Sequence, residues 1–97
     1  MSINALQLTI LEDESHQSVM VKDYRFDFLY NSLINAWFVS FYYKDELMFG
    51  GVKIVPNKDL VENFNFPFEF VVLYNGEIGI EELSQAKVLY IPKEQKR

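Results

Sequence analysis

The sequence predicts a mainly β protein: a small antiparallel β-barrel or sandwich-like meander of about six or seven strands with at most one short helix. Three observations predict it. Aromatic residues make up 16% of the chain, and they favour a half-buried pleated surface. Several of them recur at period two, the repeat of a strand. Turn signals separate the apolar runs at roughly ten-residue spacing. With 97 residues, 49% of them apolar, the chain has material for one core, so a single β-rich domain is expected over 1–97, ending in a short flexible basic tail, 93–97.

From the N-terminus, Ile3 to Leu11 places Leu6, Leu8 and Ile10 on one parity, which suits a first strand ended by the like charges of Glu12-Asp13-Glu14. The run Val19, Met20, Val21 leads into Tyr24, Phe26, Phe28 and Tyr30, the plainest strand signal in the sequence. Asn31-Ser32 and Asn35 bracket a turn, since Asn tolerates left-handed backbone. Trp37, Val39, Phe41 and Tyr43 then define one strand face, while Phe38 and Tyr42 make the other face apolar as well.

Lys44-Asp45-Glu46 reads as a polar turn, and Leu47 to Ile54 as a strand interrupted by Gly50-Gly51, the mark of a bulge or sharp bend. Pro56-Asn57 stops pairing because proline has no donor. Leu60, Val61 and Phe64 fall at helical spacing behind Asn57, which predicts a short helix or a turn there. Phe68 to Tyr74 is a second strand with two apolar parities, including Val71 and Leu73, and Asn75-Gly76 follows as a turn signal. Ile80 to Leu83 is ambiguous. Lys87 to Ile91 is a last strand ended by Pro92.

Chemistry finds little footing. There is no cysteine, so disulfides, thiolate metal sites and cysteine nucleophiles are excluded, and a reducing compartment fits best. The single histidine, His16, stands in a polar stretch without partners for a triad or an imidazole metal site. Glu12 to Glu14 lacks the ligand spacing and glycine of a calcium loop. Asp45-Glu46 and Glu81-Glu82 are sequence neighbours, which in strands point to opposite faces instead of converging. Gly50-Gly51 is not followed by the Lys-Ser or Lys-Thr of a phosphate loop. No catalytic residue, cofactor or metal is expected.

A net charge of −5 disfavours phosphate binding, and the acids Asp23, Asp27, Asp45 and Glu46 outweigh Lys22, Arg25 and Lys44 beside the exposed aromatics, so specific nucleic-acid binding is not expected. No apolar run approaches a membrane span, and the N-terminus lacks a targeting pattern, so neither a membrane nor a leader is expected. The surplus apolar surface of two strands must be covered by the fold itself or by another subunit; Phe38, Tyr42, Val71 and Leu73 are the candidate subunit-interface residues.

Taken together, Phe26-Asp27-Phe28-Leu29-Tyr30-Asn31, Ala36-Trp37-Phe38-Val39-Ser40-Phe41-Tyr42, Gly50-Gly51-Val52-Lys53-Ile54-Val55-Pro56-Asn57 with Leu60, and Leu89-Tyr90-Ile91-Pro92 resemble the phage baseplate plug family over Val21 to Pro92. The family-like motif positions are Tyr30, Asn31, Trp37, Gly50, Gly51, Pro56, Asn57 and Tyr90. Two departures are a turn without glycine at Lys44-Asp45-Glu46 and apolar Leu33 and Ile34 between Asn31 and Trp37.

The resemblance implies a non-enzymatic structural virion protein at the distal end of a contractile tail tube. Its implied partners are other baseplate, hub and tail-tube proteins and further copies in a ring around the tail axis, with assembly in the host cytoplasm. A stand-alone protein-binding or inhibitor module of phage origin is the competing reading. The acidic cluster Glu12–Glu14 and the tail residues Lys93, Lys96 and Arg97 are expected to orient neighbouring subunits weakly, at about 0 to 1 kcal/mol per surface ion pair.

Overall fold

A computed structural model describes residues 5–12 and 14–93. Within them the chain forms β1 (Leu6–Leu8), β2 (His16–Val21), β3 (Tyr24–Asn31), β4 (Ala36–Tyr43), β5 (Glu46–Lys53), β6 (Phe68–Leu73), α1 (Glu82–Gln85) and β7 (Lys87–Pro92). Two antiparallel sheets result, one ordered β2-β3-β4-β5 and the other β1-β7-β6. The expected mainly β meander is therefore an open two-sheet sandwich and not a closed barrel. Asp13, Lys96, Arg97 and the start of the first expected strand at Ile3 lie outside the described residues.

The period-two aromatics explain the layering. Phe26 and Phe28 of β3 and Trp37, Val39 and Phe41 of β4 turn inward, where they meet Phe68, Phe70 and Val72 of β6 and Val88 and Tyr90 of β7. Ring contacts bridge the layers: Phe26 to Phe70 at 5.0 Å, Phe41 to Phe70 at 5.4 Å and 90°, and Tyr24 to Phe68 at 5.0 Å. Each fully buried Phe contributes about 2 kcal/mol through loss of apolar surface to water. A second chain of rings, Phe49–Phe64–Phe66–Phe68, carries the packing out to the β5 edge.

The turns account for the differences from the sequence reading. Val19 to Tyr30 is a hairpin and not one continuous run: Val21 pairs with Tyr24 across Lys22-Asp23, with Lys22 at φ 56°. The turn carries no glycine, which hides it in the sequence. At Lys44-Asp45 both residues have positive φ, 50° and 66°, the backbone of a type I′ turn that usually selects Asn-Gly. Leu60 and Val61 are buried, and of the short helix or turn expected behind Asn57 the chain takes the turn: Asp59 bridges Val71 and residues 60–65 are turns.

The reason lies in two side chains. Asn57 sits at φ 63° and, instead of capping a helix, pairs with the backbone N–H and C=O of Tyr74. The Asp59 carboxylate accepts the N–H groups of Val61 and Phe70. Among the described residues the one helix, α1, begins within the ambiguous Ile80–Leu83 stretch and buries Leu83. Asn75-Gly76 is accordingly a bend opening a longer β6–β7 connection, not a two-residue hairpin turn.

Candidate assembly surface

Antiparallel register sorts the side chains of the four-stranded sheet into two faces. Across its outer face run three rows: His16, Leu29, Phe38 and Lys53; Ser18, Asp27 and Ser40; and Met20, Arg25, Tyr42 and Leu47. The middle row is polar and bonded. Ser18 donates to Asp27 at 2.6 Å, and Arg25 Nε pairs with the same Asp27 oxygen at 3.1 Å.

The flanking rows carry apolar side chains among their polar ones: Leu29 and Phe38 between His16 and Lys53, and Met20, Tyr42 and Leu47 around Arg25. Leu29 is 52% exposed beside half-buried Phe38, while Leu47 at 57% adjoins Tyr42 and Met20 at 60% lies across Arg25 from it. The Arg25 guanidinium lies 4.1 Å from the Tyr42 ring centroid and reaches Asp45 at 3.0 Å. Stacking of this kind holds the ring flat while keeping the cation solvated.

Val71 and Leu73 stand on the other outer face of the sandwich, with Val71 opposite Leu89 and Leu73 opposite Lys87. The four candidate interface residues are thus brought together only in pairs, Phe38 with Tyr42 and Val71 with Leu73, on opposite sides of the molecule. Met20, Leu29 and Leu47 were missed from sequence. Their signal was parity, since each falls out of phase with the buried set of its strand, but only the pairing register shows that they share a face with Phe38 and Tyr42.

The family-like positions occupy joints. Tyr30 donates its hydroxyl to Asn35 at 2.6 Å, and Asn31 accepts the Leu33 N–H, together shaping the β3–β4 tip. That tip presents Leu33 at 93% exposure and Ile34 at 56%. The buried Trp37 indole donates to the Gly79 carbonyl at 2.7 Å, tying β4 to the β6–β7 connection.

Gly50 and Gly51 lie at a register shift of β5 against β4, where the Gly51 N–H bonds the Ser40 hydroxyl and its φ of 73° suits glycine. Pro56-Asn57 turns the chain from β5 toward β6, and Tyr90 joins the core. Burial raises the Tyr90 phenol above its ordinary pKa; burial and then Tyr90, Tyr43 and Asp23 do the same for Tyr24.

Among the described residues no group of three or more His, Asp or Glu side chains is placed to hold a metal ion. No described helix is long and apolar enough to cross a membrane. His16 and Glu12 are exposed, and among the described residues neither side chain joins an ion pair.

The geometry defines a class: a small two-sheet β-sandwich whose distinguishing surface is an outer sheet face on which apolar side chains stand among polar ones. The particular family follows from comparison. A family model described as "Cyanophage baseplate Pam3 plug gp18" matches residues 6–94, nearly the whole chain, and the chain belongs to that family. A search of curated proteins finds no match. Membership makes this a structural protein of the phage tail baseplate, in contact with other baseplate proteins.

Proposed function

We propose that the chain is a single-domain, non-catalytic plug component at the distal end of a contractile tail tube. Copies assemble in the host cytoplasm around the tail axis and against tube and hub proteins, burying the outer face that carries Phe38 and Tyr42. The observation that carries this reading is the apolar side chains in the two flanking rows of that face, exposed Leu29 beside half-buried Phe38 and exposed Met20 and Leu47 in the row of half-buried Tyr42. Apolar patches of this kind on a small soluble fold mark interaction surfaces. Val71 and Leu73 give the opposite face a second, smaller contact, which suits a subunit held between neighbours.

The test is Phe38→Asp, with Tyr42→Asp beside it, in a mixing experiment with the tube and hub proteins read by light scattering. The expected result is a folded monomer that no longer joins the complex, since both side chains are only half buried in the free subunit. Loss of folding would return the two rings to the monomer's own packing. Unchanged assembly would remove this face from the interface.

A further inference from the structure

Each sheet has two edges, and three of the four are blunted. β5 is shifted twice against β4, by the extra residues around Met48 and at Gly50-Gly51. The β6 edge is occupied: the carbonyls of Val72 and Phe70 accept from Asn57 and Leu60, and the Phe70 and Tyr74 N–H groups go to the Asp59 and Asn57 side chains. β1 has only three residues. β2 has none of these devices, being six residues long, unbulged, and free of proline and of Lys, Arg, Asp and Glu. An open edge of that kind is a template for another strand.

The free groups can be assigned. Tyr30 N–H bonds the Ser15 carbonyl, so Ser15 and Tyr30 form a hydrogen-bonded pair, and alternation makes Gln17–Phe28, Val19–Phe26 and Val21–Tyr24 the others. The N–H and C=O groups of His16, Ser18 and Met20 therefore point away from β3, and among the described residues none of them bonds another backbone group. Beside this edge lies an apolar groove of about 490 Å³, lined in part by Leu6, Leu8, Leu11, Val19 and Met20.

We infer that β2 pairs with β2 of a second copy of this chain, antiparallel about a two-fold axis through Ser18. That register uses every free group, placing His16 opposite the other copy's Met20 and Ser18 opposite its counterpart. It is also electrostatically complementary, because it carries Glu14 of each copy alongside Lys22 of the other at both ends of the paired strands. The axis stands perpendicular to the sheet, so the two grooves open onto each other and the exposed Leu6 and Leu11 of both copies are sheltered, while Met20, on the outer face, comes beside the other copy's His16. The contact is made by the β2 edge and stands whether or not the Phe38 face assembles.

The test uses the free full chain at rising concentration, with mass by sedimentation and amide hydrogen exchange read residue by residue. The expected result is a shift to twice the chain mass with slowed exchange at His16, Ser18 and Met20. Met20→Pro, which removes an outward N–H and leaves the β2–β3 ladder intact, should abolish both changes. Lys22→Glu should weaken the dimer roughly tenfold, two ion pairs being lost, and Glu14→Lys added to it should restore association. A chain monomeric at every soluble concentration, a dimer in which those three amides stay fast, or protection that appears only with a tube or hub protein would each overturn the second-copy assignment.

Discussion

Asp59 holds a turn that offers little other regular structure, and its replacement by alanine should be costly for a reason that can be worked from the coordinates. One carboxylate oxygen accepts the Val61 N–H at 3.1 Å and the Phe70 N–H at 3.0 Å, both partly buried. Hydrogen bonds to a charged acceptor contribute about 1.5 to 3 kcal/mol each, and because two share one oxygen the combined effect is taken as about 2 to 4 kcal/mol. For a domain whose whole stability is about 5 to 15 kcal/mol, the loss lowers the melting temperature by roughly 8 to 30 °C.

Urea unfolding followed by the single tryptophan, the buried Trp37, measures this directly. Asp59→Asn keeps an acceptor oxygen without the charge and should cost only about 1 kcal/mol. An Asp59→Ala loss below about 0.5 kcal/mol, or equal losses for the two variants, would refute the claim that this acceptor secures the 57–61 turn on β6.

The remaining predictions concern turns, protons and the exposed tip. Lys44→Asn with Asp45→Gly should raise stability by about 0.5 kcal/mol, since relief at two positive-φ positions outweighs loss of the exposed Arg25–Asp45 pair, and the urea midpoint should move without a change in slope. The Tyr24 and Tyr90 phenols have folded pKa values above their ordinary 10.0, so the stability linked to them is intact below pH 10 and is lost as pH rises through the folded values. Alkaline unfolding curves should show this fall, and Tyr24→Phe should lessen it. Leu33→Ser, at a side chain almost wholly in water, should leave the midpoint within about 0.5 kcal/mol of the parent, and any accompanying loss of complex formation with tube or hub proteins would assign the β3–β4 tip to a contact.

The sequence alone determined the fold class, because period-two aromatics such as Tyr24, Phe26, Phe28 and Tyr30 can bury one face only as a strand. It also determined the break at Gly50-Gly51 and the burial of Leu60 and Val61, since glycine permits a bulge and apolar side chains seek the core whatever the backbone does. The family-like segments were legible for the same reason: they are turn residues and core residues in fixed order.

Tertiary structure decided what depends on partners distant in sequence. The β2–β3 turn at Lys22-Asp23 has no local signature and exists because Val21 and Tyr24 must pair. Of the short helix or turn expected after Asn57, tertiary contacts selected the turn, because the Asp59 carboxylate accepts the Phe70 N–H of β6 and the Asn57 side chain pairs with the Tyr74 backbone. Phe38 and Tyr42 were legible as surplus apolar residues. That they share a face with Leu29, Met20 and Leu47, and stand opposite Val71 and Leu73, was set by strand register, which long-range packing fixes and local pattern cannot.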